Sequence, residues 1–234
     1  MTPQTVFKRY EVKYRLTTAQ YKQLKAVMAD HMSLDQYGRH TIDSMYFDTP
    51  DYRLIRKSIE KPTYKEKLRL RSYGAVGDSD IVFLELKKKY DGVVYKRRLA
   101  VAKSEAMAFL TQGKPLSNNS QIAKELSYFC KYYEKLQPMV GLRYQREAYF
   151  GKENQDFRMT FDQNIAMATQ ERFDTPLLPH DAVILEVKTA MGLPTWLLEF
   201  FSSHQIYKTS FSKVGTAYET ILLPKALKGE HHVA

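Results

Sequence analysis

Lysine, arginine and carboxylate side chains recur at two-residue spacing in short segments along most of the chain. Each set alternates with apolar residues, so an extended segment carries its charges on one face. The basic members are Arg9, Lys13, Lys67, Arg69, Arg71, Lys87, Lys96, Arg98, Arg146, Arg158 and Lys188, and the acidic members are Glu11, Glu85, Asp162 and Glu186. Because guanidinium groups contact phosphate oxygens in pairs and ammonium groups act as point charges, this excess of cations suits a densely anionic ligand.

The overall composition also favours an anionic partner. The 234 residues include 36 Lys and Arg against 26 Asp and Glu, which gives a net charge of +10. Such a balance suits nucleic acid, a membrane surface or a polyphosphorylated ligand. With 44% hydrophobic and 26% charged residues, the chain is typical of a soluble globular protein and not of a disordered one.

The elements that must position these charges follow from the hydrophobic pattern. Alternation with a period of two predicts about eight strands, over residues 9–16, 41–48, 65–72, 81–89, 93–102, 139–150, 158–162 and 182–190. Helical spacing and cap-type residues predict helices over residues 17–32, 104–110, 120–133, 193–204 and 214–223. No linker or internal repeat interrupts the pattern, so we expect a single α+β domain over residues 1–234.

The charged faces admit two arrangements. For any one strand, a charged face in solvent is the usual one. The repeated excess of cations favours a β-barrel that turns its charges inward and is covered by helices on its apolar exterior. Because burial of an unpaired cation costs several kcal/mol, water and a bound polyanion must compensate for these charges. Such an interior is too narrow for duplex DNA but suits a linear polyphosphate or a nucleoside triphosphate.

Nine motifs occur in order between about residues 7 and 218. They are RYEVKY (9–14), MYFDT (45–49), KLRLR (67–71), ELK (85–87), YKRR (95–98), YQREA (144–148), RMTFD (158–162), LEVK (185–188) and FSK (211–213). Together they resemble the VTC domain, the polyphosphate polymerase branch of the CYTH-like, or triphosphate tunnel metalloenzyme, superfamily. The resemblance implies an eight-stranded antiparallel β-barrel tunnel with a charged lumen, flanked by helices, and synthesis of polyphosphate from ATP.

The resemblance also implies roles for individual residues. We expect catalytic roles for Lys13, Arg69, Arg71, Lys87, Arg146 and Lys213. We expect substrate binding by Arg9, Lys96, Arg98, Tyr144, Arg158, Lys188 and Ser212. Glu186 matches the glutamate that binds a divalent metal, Mn²⁺ or Mg²⁺, and carboxylate oxygens suit such hard cations.

One position departs from the superfamily pattern. Hydrolytic members carry Glu-x-Glu-x-Lys in the first strand, whereas this chain has Arg9 at the first glutamate position. The change removes a metal ligand and adds a cation, which favours a polymerase with one metal over two-metal hydrolysis. Glu11 is a second candidate metal ligand, although pairing with an arginine is the more ordinary role for both Glu11 and Glu85. Asp48 is expected to end a strand at a turn rather than bind metal.

Three other functions remain open at this point. A metal-dependent triphosphatase would cleave tripolyphosphate or a nucleoside triphosphate. A non-catalytic module would bind polyphosphate or an inositol phosphate without turnover. A nucleic-acid binder would show steeply salt-dependent affinity for duplexes, but we expect ATP and polyphosphate to be the ligands and nucleic acid not to be one.

The remaining features concern location and assembly. Cys130 is the single cysteine, which excludes an internal disulfide and a cysteine-rich metal site. The sequence shows no apolar stretch long enough to span a membrane, and because residues 1–16 contain no apolar core segment we expect no secretory signal. We therefore predict a cytoplasmic protein, and the sequence leaves its oligomeric state and any membrane partner open.

Overall fold

A computed structural model describes residues 10–91, 93–169 and 172–228. Arg9, one of the expected substrate-binding residues, lies outside these ranges. The described chain divides into two compact units, each assembled from separate segments. The first unit contains residues 10–41, 144–165 and 178–211, and the second contains the described residues of 42–143, 166–177 and 212–228. The single-domain organisation stays a prediction.

All eight predicted strands are confirmed, and three shorter strands were not predicted. The strands are β1 (Tyr10–Thr17), β2 (Met32–Leu34), β3 (His40–Asp48), β4 (Tyr64–Tyr73), β5 (Ile81–Tyr90), β6 (Val93–Ala102), β7 (Gln137–Gly151), β8 (Arg158–Thr169), β9 (Arg172–Pro176), β10 (Ala182–Thr189) and β11 (Lys208–Thr209). The strands β2, β9 and β11 escape prediction because two to five residues are too few to show a period.

The five predicted helices are also present, but the first ends at Met28 instead of Met32, which begins β2, and the last is interrupted by a π-helical turn. The helices are α1 (Thr18–Met28), α2 (Arg53–Ile59), α3 (Lys103–Gln112), α4 (Gln121–Tyr133), α5 (Thr195–Ser203), α6 (Lys213–Ala217) and α7 (Leu223–Leu227), with a π-helical turn at Tyr218–Leu222 between the last two. Thr17 begins α1 with a capping box that includes Gln20, and Ser120 caps α4. No helix within the described ranges is long and apolar enough to cross a membrane.

In the first unit, β1 pairs antiparallel with both β10 and β11, and β10 pairs antiparallel with β8. The apolar residues of these strands, such as Leu16, Phe161 and Leu185, pack against α1 and α5. The alternation therefore leaves the charged residues of β1, β8 and β10 on the face away from these helices.

In the second unit, β3, β4, β5 and β6 form consecutive antiparallel pairs. Leu68, Leu84 and Leu86 are buried in a core that α3 and α4 cover on one side of the strands. Lysine and arginine side chains at the intervening positions project from the opposite face.

The α+β class and the large antiparallel sheet are confirmed, whereas the closed eight-stranded barrel is not. In the first unit the pairing order is β11, β1, β10 and β8, in the second it is β3, β4, β5 and β6, and among the described residues neither series closes on itself. Closure of the strands into a tunnel therefore stays a prediction.

Asp48 ends β3, as expected, and it also holds the start of α2, the helix that sequence reasoning missed. Its carboxylate is fully buried. One oxygen accepts hydrogen bonds from the backbone N–H groups of Thr49 and Leu54, and the other accepts from Ile55, each at 2.8 Å. A structural role thus accounts for this carboxylate without a metal.

Replacement of Asp48 by Ala is expected to lower the free energy of unfolding by about 2–3 kcal/mol, because it leaves buried backbone donors unsatisfied. Urea unfolding of the Asp48→Ala and Asp48→Asn variants checks this expectation. The Asn variant retains one acceptor oxygen and should lose less. Equal stability of Asp48→Ala and the unmodified protein would contradict the capping role.

Candidate functional site

Six cations share one face of the second unit, and we call them the cationic cluster. They are Lys67, Arg69 and Arg71 of β4, Lys87 of β5, and Lys96 and Arg98 of β6. Strand register explains how they meet, since Lys67, Lys87 and Lys96 lie directly opposite one another on adjacent strands. In the next row, Arg69 and Arg98 lie on either side of Glu85.

Glu85 holds this cluster together. Its side chain is 1% exposed. One oxygen lies 2.7 Å from Arg69 Nε and 3.8 Å from Arg71 Nη1, and the other lies 2.6 Å from Arg98 Nε and 2.8 Å from Lys96 Nζ. Burial raises the pKa of the Glu85 carboxyl, but the charges of Arg69 and Arg71 outweigh it and hold the pKa well below its usual range. The carboxylate is thus ionised. Its contacts with Arg69, Arg71 and Arg98 confirm the expected pairing of Glu85 with arginine.

Two other groups of this face titrate near neutral pH. Burial lowers the pKa of Lys96 to about 8, although Glu85 opposes the shift. Tyr46 of β3 accepts a hydrogen bond from Arg69 Nη1 at 3.0 Å. Burial raises the pKa of Tyr46, but the charges of Arg69, Lys67 and Arg71 bring it down to about 7. Sequence reasoning gave Tyr46 no role, although its place two residues before Asp48 in a predicted strand could have put it on the charged face.

The FSK motif brings a hydroxyl group to the cationic cluster. Ser212 Oγ accepts a hydrogen bond from Lys67 Nζ at 3.1 Å and another from the backbone N–H of Gly215 at 3.3 Å. Ser212 thereby caps α6, and Lys213 is the first residue of that helix. Both predicted residues of this motif lie in the second unit, as do Arg69, Arg71 and Lys87.

The first unit carries a second charged face, which we call the mixed face because its signs alternate. It consists of Glu11 and Lys13 of β1, Tyr144 and Arg146 of β7, Arg158, Thr160 and Asp162 of β8, and Glu186 and Lys188 of β10. Glu186 lies opposite Lys13 on one side and Thr160 on the other. Lys188 lies opposite Glu11 and Arg158 in the same way.

A buried ion pair fixes one arginine of the mixed face. Arg146 Nε and Nη2 lie 2.6 and 2.7 Å from the two oxygens of Asp162, which is fully buried. Burial lowers the pKa of Arg146, but Asp162 outweighs it, and the guanidinium stays charged. The guanidinium carbon lies 5.4 Å from the ring centroid of Tyr144, which is also buried. Asp162 therefore positions Arg146, a role that strand alternation alone does not assign.

The expected metal ligand Glu186 is buried on the mixed face, with its Oε1 2.9 Å from Lys188 Nζ. Glu11 Oε1 lies 3.7 Å from Lys13 Nζ, which also donates to the backbone oxygen of Phe211 at 2.9 Å. Within the described ranges, no three His, Cys, Asp or Glu side chains come together as a metal-ligand group. Any ion held by Glu186 would thus take most of its ligands from phosphate and water.

A family model described as the VTC domain matches residues 8–222. Among solved structures, a Bacillus halodurans protein provisionally described as an adenylate cyclase is 14% identical, with a TM-score of 0.54 over 86% of this chain and 92% of that chain. A Vibrio parahaemolyticus protein with the same provisional description is 14% identical, with a TM-score of 0.47 over 94% of this chain and 99% of that chain. No curated protein matches the chain. At this identity, the Bacillus halodurans structure indicates a shared fold and not an activity.

Proposed function

The chain belongs to the VTC domain family, and from that premise we propose that it is a polyphosphate polymerase that uses ATP. The family match supports a place among the triphosphate tunnel proteins, which act on phosphate compounds and generally use divalent metals. The proposal concerns the specific reaction: the γ-phosphate of ATP is transferred to the end of a growing polyphosphate chain.

The observation that carries this proposal is the cationic cluster. Glu85 supplies one negative charge to six cations, so the cluster has a large excess of positive charge. Adjacent strands lie about 4.8 Å apart, and the rows of cations thus present several phosphate-binding positions side by side. A linear polyanion can neutralise such a row, whereas a single carboxylate ligand cannot. We assign phosphate binding to Lys87, Lys96, Arg98, Arg69 and Arg71.

The chemistry requires positioning and charge neutralisation rather than a protein nucleophile. A terminal oxygen of the polyphosphate attacks the γ-phosphorus of ATP. The bond between that phosphorus and the bridging oxygen of the β-phosphate breaks, and ADP leaves with the bond electrons. In the first unit, we assign phosphate contacts to Arg146, which Asp162 holds in a fixed orientation, and to Lys13, Arg158 and Lys188.

Glu186 fits the metal that the family implies. It is a buried carboxylate, and Mg²⁺ or Mn²⁺ sites of phosphoryl-transfer enzymes commonly use one or two carboxylates together with substrate phosphates. When bound, a divalent ion neutralises charge on the phosphates. Arg9 in place of the first superfamily glutamate supports synthesis over two-metal hydrolysis. We propose that the ion is Mn²⁺ or Mg²⁺ and that the protein is cytoplasmic. We also propose that its anionic ligand is a phosphate compound and not nucleic acid.

Incubation of the purified protein with ATP and Mn²⁺ tests the proposed reaction. The products are separated on a urea gel stained for polyphosphate. We expect a ladder of long polyphosphate chains. Release of orthophosphate without a ladder would favour a triphosphatase, and unchanged ATP would favour a phosphate-binding module.

Binding of long polyphosphate is expected to weaken as the pH rises through about 8. Lys96 loses its positive charge in this range, and Tyr46 loses a proton near pH 7, so both changes reduce the positive charge of the cationic cluster. The internal phosphates of the ligand keep their charge over this range. Calorimetric titrations at several pH values check the effect, and a Lys96→Arg variant should retain more of its affinity at high pH. Affinity that is independent of pH in both proteins would contradict the assignment of Lys96.

A further inference from the structure

Thr160 carries an unsatisfied polar group on the mixed face. Its side chain is 8% exposed, and its hydroxyl oxygen is buried without a hydrogen-bond partner. Such groups are rare because the loss of hydration costs roughly 1–3 kcal/mol when no partner replaces water. It is the one buried side-chain polar atom of this kind within the described ranges. We therefore infer that this hydroxyl group contacts a bound ligand.

The position of Thr160 indicates what that ligand is. Thr160 lies directly opposite Glu186 in the antiparallel pairing of β8 and β10. Side chains of directly opposed residues project from the same face, with Cβ atoms about 4.5–5.5 Å apart. A threonine hydroxyl this near a carboxylate would ordinarily donate to it, but Thr160 Oγ1 makes no such bond.

We propose that Thr160 Oγ1 and the Glu186 carboxylate are the two protein oxygens that bind one divalent cation. The proposal rests on the proposed function, which places the metal at Glu186. It adds a second, neutral ligand on the neighbouring strand, with phosphate oxygens and water completing the coordination.

A cation explains the pair better than a phosphate group does. Phosphate alone at Thr160 would lie beside the negative charge of Glu186 and be repelled by it. A divalent cation is attracted to that carboxylate and also accepts the lone pairs of a hydroxyl oxygen. It would thus give Thr160 Oγ1 the partner that this atom lacks, and it would bind the carboxylate of Glu186, which lies directly opposite Thr160 across one strand pair.

The test measures how strongly Mn²⁺ promotes binding of a non-hydrolysable ATP analogue with an imido bridge between its β- and γ-phosphates. Isothermal titration calorimetry gives the affinity of the analogue with and without Mn²⁺. The variants are Thr160→Val, which keeps the shape of the side chain and removes the hydroxyl, Thr160→Ser, which keeps the hydroxyl, and Glu186→Gln. Thermal unfolding of each variant without metal checks that it is folded, and Thr160→Val should be no less stable than the unmodified protein.

We expect Thr160→Val to reduce the gain in affinity from Mn²⁺ about tenfold, in the range seen when groups around a metal are lost. Its affinity without metal should be unchanged, and Thr160→Ser should retain the full gain. A full gain in Thr160→Val, with loss in Glu186→Gln, would overturn the role of Thr160 and leave the metal at Glu186 intact. An equal loss of affinity in Thr160→Val with and without Mn²⁺ would instead mean that the hydroxyl contacts phosphate. Absence of any gain in the unmodified protein would overturn both this inference and the metal of the proposed function.

Discussion

Replacement of Glu186 by Gln is expected to lower the rate of polyphosphate synthesis from ATP by roughly 100-fold or more. The amide keeps the size of the side chain but removes the negative charge that we propose holds the metal. Loss of metal-assisted charge neutralisation costs several kcal/mol of barrier, and each 1.4 kcal/mol is about tenfold in rate. The measurement is the initial rate of polymer formation at saturating ATP and Mn²⁺.

Glu11→Gln provides a matched control for this variant. Glu11 is a carboxylate of the same face, and its register partner is Lys188, the residue that also pairs with Glu186. We expect a much smaller loss of rate in Glu11→Gln, with metal-free binding of polyphosphate retained by both variants. Equal rates in Glu186→Gln and the unmodified protein would contradict the metal role of Glu186. Equal, large losses in both variants would assign Glu11 to the metal as well.

Replacement of Glu85 by Gln is expected to lower the free energy of unfolding by about 3–5 kcal/mol, the cost of breaking a buried ion pair from one side. Glu85 is almost completely buried and lies within 4 Å of Arg69, Arg71, Lys96 and Arg98. Without its charge, these cations repel one another with no anion between them. Urea unfolding at low salt measures the change.

Two conditions should partly restore the stability of Glu85→Gln. High salt screens the repulsion, and bound polyphosphate supplies the missing negative charge. Glu125→Gln is the matched control, because Glu125 pairs with Arg97 at 3.2 Å at a more exposed position. This substitution should lower the free energy of unfolding by no more than about 1 kcal/mol. A loss in Glu85→Gln no larger than that of the control would contradict the central role of Glu85.

The pH dependence of the Glu85 contribution follows from the direction of its shift. Its pKa is lower in the folded protein than in the unfolded chain. The unfolded chain therefore binds the proton more readily at low pH, and folding stability falls as the solution is acidified. The contribution is complete above the unfolded value of about 4.3 and is lost as the pH falls from there towards the lowered pKa.

Strand alternation was sufficient to predict the eight longer strands and the face on which most charges lie. The period of two is visible because apolar residues such as Leu68 and Leu70 must face the core while Arg69 does not. Helices with a polar cap and an apolar stripe, such as α4 after Ser120, could also be predicted from the sequence. The helix α2 was missed because its start depends on Asp48, a residue outside the helix whose carboxylate reaches over several positions.

Strand register was the information that the sequence lacked. Glu85 was expected to pair with an arginine, but only register shows that it lies between Arg69 and Arg98. Similarly, Thr160 is an ordinary strand residue until its pairing places it opposite Glu186. Register depends on which strands pair with each other. The residue pattern within one strand does not indicate which strand lies beside it.

Transfer of labelled phosphate from ATP tests the central claim most directly. The purified protein is incubated with Mn²⁺ and ATP that carries ³²P at either the γ- or the α-position, and the products are digested with a polyphosphate-specific exopolyphosphatase. The account predicts that γ-label enters an exopolyphosphatase-sensitive polymer, that α-label stays in ADP, and that one ADP forms for each phosphate added. Gamma-label that appears only as orthophosphate, or that stays in ATP, would contradict polyphosphate synthesis by this protein.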